Sequence, residues 1–106
     1  MGLVMDGSPD SRVYRVQFGP WSRTYWHTHE GVQLLLVQQG KGWIQKHGEA
    51  LAQIRPGDVV HVAPGEKHWH GASREEEMIH WAVNSGIRTE WLEEVTDEEY
   101  SSQNNA

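Results

Sequence analysis

The chain reads as short runs of alternating apolar and polar positions, separated by clusters of turn-forming residues. Arg12 to Phe18 sets Val13, Arg15 and Gln17 on one side and Tyr14, Val16 and Phe18 on the other, the two-residue period of a strand. Gly19-Pro20 breaks it. Thr24 to His29, aromatic and β-branched, predicts the next strand, and Glu30-Gly31 a turn or bulge. Val32 to Gln38 holds the longest apolar stretch, Leu34 to Val37, and is expected to be the most buried strand. Trp43 to Lys46 and Ala50 to Ile54 flank His47-Gly48, a hairpin signal. Val59 to Ala63, His68 to Ala72 and Met78 to Asn84 are further strands, with turns at Arg55-Pro56-Gly57-Asp58 and Pro64-Gly65-Glu66-Lys67. At the start, Leu3 to Met5 predicts a short strand and Asp6 to Asp10 a turn cluster. At the end, Thr96 with Glu99 fits a capping box, and Ser101 to Ala106 is polar and expected to be disordered.

Many short strands without a long amphipathic helix predict an all-β sandwich or barrel of short antiparallel strands. A length of 106 residues suits one compact domain. The expected division is a single domain over 1–95, then a short helical turn and disordered tail over 96–106.

Composition narrows the function classes. The chain has no cysteine, so disulfides and thiolate metal ligands are excluded, and a cytoplasmic location is expected. A net charge of −6 without a basic stripe argues against nucleic acid. No apolar run approaches the ~20 residues of a membrane span, and the N-terminus lacks the pattern of a signal peptide. Seven histidines in so short a chain raise the prospect of metal, and six tryptophans suit a barrel wall or a subunit interface.

His27 and His29 stand two apart in a strand, so both imidazoles share a face. Gln33 falls on the same odd-numbered face unless a bulge at Gly31 swaps the register. His68 arrives from far along the chain, just after Pro64-Gly65. Three imidazole nitrogens and an amide oxygen suit one first-row divalent metal with open positions for water or substrate. Taken alone, the histidine pair fits an exposed strand equally well, and a lone histidine after a turn is more often a surface residue.

The spacing as a whole resembles the two motifs of the cupin superfamily. His27-Thr28-His29, three residues, Gln33, six residues and Gly40 match the first motif, with Trp21 in place of its opening glycine. Gly57, five residues, Ala63-Pro64-Gly65, two residues and His68 match the second, with Ala63 for a proline and Ala72 for an asparagine. The resemblance covers roughly residues 12 to 84 and implies a cupin jelly-roll barrel. Arg23 to His29, Pro64 to Ala72 and Trp91 to Tyr100 further resemble a subgroup of small cupins. That subgroup includes manganese-dependent hydroxynitrile lyases and carboxymuconolactone-decarboxylase-associated cupins. This implies His27, His29, Gln33 and His68 as metal ligands and His80 as catalytic base. It also implies manganese as the foremost metal, with iron, nickel or zinc as alternatives, and a homodimer.

Met78, His80 and Ala82 share one strand face, so His80 is either a base in the lumen or a buried histidine satisfied by a carbonyl. Gln33, unlike the glutamate of many cupins, leaves the metal its full charge and makes it a stronger Lewis acid. His70 is a partner of the site, an alternative ligand or a surface residue. His61 is expected on a strand face and His47 in solvent. Trp26 and Trp69 are expected to point away from the ligands, and Trp43, Trp81 and Trp91 to serve packing or an interface. Tyr14 is expected to pack, Glu75 to Glu77 to form a solvated loop, and Glu90, Glu93 and Glu94 to lie in an exposed tail. The leading function is a metal-dependent lyase acting on a small organic molecule. A dioxygenase-type cupin and a non-catalytic small-molecule or metal-binding cupin are the alternatives.

Overall fold

The computed structural model describes residues 2–8, 11–86 and 88–101. Among the described residues ten strands run in chain order: β1 (Gly2–Ser8), β2 (Ser11–Phe18), β3 (His27–His29), β4 (Gln33–Gly40), β5 (Gly42–Lys46), β6 (Ala52–Ile54), β7 (Val59–Val62), β8 (His68–Ala72), β9 (Met78–Ser85) and β10 (Thr89–Trp91). A short helix, α1 (Asp97–Ser101), follows. The strands form two five-stranded antiparallel sheets, ordered β1-β2-β9-β4-β7 and β10-β3-β8-β5-β6. This is the antiparallel barrel that the alternation predicts.

Alternation turns one face of each sheet inward. Leu35, Val37 and Val62 from the first sheet meet Ile44, Ile54 and Ala72 from the second, with Met78 and Ala82 completing the buried core. The motif glycines Gly57 and Gly65 hold left-handed backbone, φ 93° and 73°, at the turns before β7 and β8. Trp21 also has a positive φ, 72°, where the resembled motif has glycine. Its ring lies 5.5 Å from that of Tyr100 and under the Arg74 guanidinium, which offsets the strain of a left-handed non-glycine residue.

A second apolar cluster covers the outside of the second sheet. Trp26, Trp69, Val95 and Tyr100 are buried there, with Trp43, Leu51 and Leu92 against them. Trp26 and Trp69 therefore do point away from the histidines beside them. The capping box forms as predicted: Thr96 N donates to Glu99 Oε1 at 2.9 Å and Glu99 N to Thr96 Oγ1 at 3.1 Å. Tyr100, fully buried, donates its hydroxyl to Ala72 O at 2.7 Å and pins α1 to β8.

Several expectations change. Asp6 to Ser8 belong to β1 rather than to a turn, while Pro9 and Asp10 lie outside the described residues. Thr24 to His29 is not one strand. Arg23 bridges to Gly71, whereas His27 pairs with His68, and the chain steps between the two at Tyr25-Trp26. Sequence reasoning missed β10, which pairs Thr89, Glu90 and Trp91 with His29, Thr28 and His27. Of the stretch 101–106, expected to be disordered, Ser101 ends α1 and residues 102–106 lie outside the described residues. Among the described residues no helix is long and apolar enough to cross a membrane.

Candidate metal centre

Strand register aligns the inward side chains of the first sheet in rows. Arg12, Asn84 and Gln33 form one row across β2, β9 and β4; Tyr14, Ala82 and Leu35 form the next, and Val16, His80 and Val37 the third. Gln33 keeps the inward face, so Gly31 does not swap its register. From the second sheet, β3 presents His27 and His29, and β8 presents His68 and His70. Between the sheets lies a cavity of about 290 Å³ lined by residues that include His27, His29, Gln33, His70 and His80.

Hydrogen bonds decide which nitrogen each ring offers. His27 Nδ1 lies 2.8 Å from Tyr25 O, and His68 Nδ1 lies 2.9 Å from Glu66 O. A carbonyl only accepts, so both Nδ1 atoms are protonated and both neutral rings carry their lone pair on Nε2. His29 Nδ1 sits 2.9 Å from Thr89 Oγ1, and its buried Nε2 has no hydrogen-bond partner. Gln33 Nε2 donates to Asn84 Oδ1 at 2.9 Å, which leaves Oε1 facing His68 Nε2 at 3.0 Å. That contact brings two acceptors together in a buried place, an arrangement that a cation between them relieves.

The rings are held neutral. Burial and the neighbouring His68 lower the pKa of His27 to about 3. Burial lowers His68 to about 4, and burial also depresses His29. Neutral imidazoles with fixed tautomers are the form that binds metal. Nitrogens of His27, His68 and His70 also lie within 4.8 Å of one another, so the histidine cluster has the means to hold an ion.

His70 and His80 form a buried pair, with His80 Nε2 3.2 Å from His70 Nδ1. Burial lowers His80 to about 4 and His70 well below its usual value, the latter with help from His80. Two neutral imidazoles joined by one N–H···N bond retain one N–H and one lone pair between them. The remaining nitrogens, His70 Nε2 and His80 Nδ1, are both buried without a hydrogen-bond partner. One of the two therefore keeps an unshared lone pair.

Of the residues the sequence pattern singles out, His27, His29, Gln33 and His80 line one cavity, and His68 lies behind them against Gln33, its Nε2 3.0 Å from Gln33 Oε1. His70 is buried, not a surface residue, and sits against His80. Trp91, expected in packing or an interface, also lies at the cavity, 56% exposed, with its ring 4.8 Å from that of His27. Tyr14 likewise lines the cavity as well as packing on the core. Thr89, Asn84 and Arg12 were not singled out as site residues. The signal available was parity, since Arg12 shares the face of Tyr14 and Val16, and Asn84 that of His80 and Ala82.

A ten-stranded antiparallel barrel with histidines clustered in its lumen defines a class, the double-stranded β-helix proteins. The Cupin domain model matches residues 14–84, and the chain belongs to that family. It is 50% identical over 88 residues to the (R)-mandelonitrile lyase of Granulicella tundricola, a match covering 80% of this chain and 67% of that protein. A cupin-like protein from Thermotoga maritima superposes with a TM-score of 0.86 at 42% identity, over 88% of this chain and 72% of that one. KdgF from Halomonas sp. gives a TM-score of 0.72 at 25% identity, over 82% and 79%.

Proposed function

We propose that this chain is a metal-dependent lyase that cleaves a carbon–carbon bond in a small hydroxylated molecule. His27, His29, Gln33 and His68 hold the metal in this reading, and His80 is the base. The observation that carries it is the set of side chains tied down from behind. Tyr25 O, Thr89 Oγ1, Glu66 O and Asn84 Oδ1 fix the orientation of three imidazoles and one amide, each leaving a donor atom for the site. The 50% identity to a mandelonitrile lyase supports the reaction class.

A bound divalent ion supplies Lewis acidity, which lowers the pKa of a substrate hydroxyl. The protein's own part is to take the proton. With His80 Nε2–H donating to His70 Nδ1, the lone pair falls on His80 Nδ1, the acceptor this reading requires. Burial keeps His80 neutral and ready at neutral pH. With a cyanohydrin as substrate, the hydroxyl proton moves to His80, the O–H electrons form the carbonyl, and the carbon–carbon pair leaves with cyanide. The proton then returns to cyanide.

The closeness of the His27, His68 and His70 nitrogens favours a second reading, with His70 in the ligand set. The lone pair of the pair then sits on His70 Nε2, and His80 becomes a donor. Manganese is the expected metal, by resemblance of the ligand set. The exposed Leu36 and Val59 on the outer face of β4 and β7 suit a homodimer contact, and the absence of cysteine suits the cytoplasm.

Metal content and mandelonitrile cleavage test the proposal. Wild type should retain about one equivalent of metal, His68→Ala should lose it, and His80→Ala should keep it while cleavage falls by roughly a hundredfold or more. Absence of metal after incubation with manganese or iron salts would sink the reading. So would full cleavage by His80→Ala. Retained metal in His29→Ala with loss in His70→Ala would move the assignment to the second ligand set.

A further inference from the structure

Gln33 and Asn84 are directly opposed on β4 and β9, both on the inward face, and an amide has a direction: one end accepts and the other donates. Gln33 is 3% exposed and stands between two neighbours. On one side its Nε2 donates to Asn84 Oδ1 at 2.9 Å. On the other its Oε1 lies 3.0 Å from His68 Nε2. His68 is fixed from behind, with Nδ1–H on Glu66 O at 2.9 Å, so the buried neutral ring can only accept at Nε2. Asn84 lines the cavity, and because Gln33 takes its Oδ1, its Nδ2 is the end left over.

Two settings of this pair satisfy every atom. In the first, Gln33 turns Oε1 towards the ligand nitrogens, as a shared cation requires, Nε2 donates to Asn84, and Asn84 offers N–H. In the second, Gln33 Nε2 donates to His68 Nε2, Oε1 accepts from Asn84 Nδ2, and Asn84 offers its oxygen. A half-turn of both terminal amides interconverts them. Turning one amide alone sets two acceptors or two N–H groups face to face in a buried place, which is costly.

We propose that Gln33 and Asn84 reverse together with metal occupancy, so that Asn84 shows the cavity a donor when an ion is bound and an acceptor when it is not. Asn84 is then a specificity-determining residue. Metal-loaded protein selects a substrate with a hydrogen-bond acceptor, such as a cyano or carbonyl group, beside the hydroxyl-bearing carbon, because a donor left unpaired penalises an analogue that lacks one. This rests on the lyase reading for the ion and its ligands, while the matching of the two amides rests on the hydrogen bonds alone.

The test uses nuclear magnetic resonance on nitrogen-15-labelled protein, metal-free and loaded with zinc, which is diamagnetic. A coupling through the hydrogen bond between Gln33 Nε2 and His68 Nε2 should be present without metal and vanish with zinc. Asn84→Asp, whose ionised carboxylate only accepts, should hold Gln33 in the first setting and lack the coupling in both forms. Absence of the coupling from metal-free wild type overturns the proposal, as does its survival with zinc or in Asn84→Asp. The selection is read by calorimetry on zinc-loaded protein. Methyl mandelate should bind wild type roughly 3- to 10-fold tighter than it binds Asn84→Leu, while 1-phenylbutan-1-ol, which lacks the acceptor, binds both alike. No loss with methyl mandelate, or an equal loss with both compounds, overturns the selection. Protein that loads no zinc would overturn this proposal and the lyase reading together, whereas loading without cyanohydrin cleavage counts against the lyase reading alone. Circular dichroism guards against misfolding, and Asn84→Asp, which also lacks an N–H at this place, serves for calorimetry if Asn84→Leu does not fold.

Discussion

Thr89→Val should weaken metal binding without disturbing the barrel. Of the three groups that fix the imidazoles from behind, two are backbone carbonyls, Tyr25 O and Glu66 O, and only Thr89 Oγ1 belongs to a side chain. Valine has nearly the shape of threonine and keeps the β-branching that suits β10. The substitution removes the 2.9 Å partner of His29 Nδ1 on a ring that is only 6% exposed. The ring is then free to take the other tautomer or to turn over, and part of the binding energy goes to re-ordering it. Loss of such a supporting hydrogen bond at a metal-bound histidine lowers affinity about 10- to 100-fold, or about 1 to 3 kcal/mol.

A competition titration against a chromogenic chelator reads this directly. Thermal unfolding gives a second measure, because stabilisation by excess metal falls by the same free energy. Thr89→Ser keeps an oxygen and should stay near wild type. Unchanged affinity in Thr89→Val would refute the reasoning, and so would a Thr89→Ser variant as weak as the valine. Either result would mean that His29 is not a ligand or is oriented by packing alone.

Acid should destabilise the metal-free protein early. His27, His68 and His80 are held near 3, 4 and 4, below the ordinary histidine value, so the unfolded chain binds more protons in that interval. Stability is then complete above about pH 6.5 and is lost as the pH falls towards 4, by about 4 kcal/mol in all at pH 5.5. Urea midpoints that coincide at pH 7.5 and 5.5 would contradict this. Tyr100→Phe should cost about 1 to 3 kcal/mol in denaturant unfolding, because the buried Ala72 O loses its 2.7 Å donor; a loss under about 0.5 kcal/mol would show that another donor replaces it. Trp21→Gly should be more stable than Trp21→Ala by about 1 kcal/mol, since both lose the stack on Tyr100 but only glycine relieves the φ of 72°; equal stabilities would place the strain elsewhere.

Much of the barrel and most of the site could be read from parity. A strand has only two faces, so His27 and His29 had to point together, and Met78, His80 and Ala82 had to share a side. The motif spacing then named the same face in β4 and β8. Parity says nothing about what lies over a face, and that is where reading stopped. His70 shares the side of His68, yet only the fold shows that β9 lays His80 against it at 3.2 Å. Thr89-Glu90-Trp91 is too short a run to announce a strand, and its worth comes from the nonlocal pairing with β3.

The C-terminal segment was hidden for a different reason. Glu93, Glu94, Asp97 and Glu98 give it the composition of a solvated tail, and its three apolar residues, Leu92, Val95 and Tyr100, are too few to announce a buried element. Their partners explain the pattern. If the histidines at 27, 29, 68 and 70 face the lumen, the residues between and beside them, Trp26 and Trp69 among them, must face outward. An outer sheet face carrying buried indoles needs a cover, and 92–100 supplies it, with Trp26 N donating to Glu93 O at 2.9 Å and Leu92 N to Trp26 O at 2.8 Å. The two strands that present the histidines are thus clamped from outside by a segment with the composition of a solvated tail. Loosening that clamp at Tyr100 should therefore be felt at the histidines as well as in the stability of the barrel.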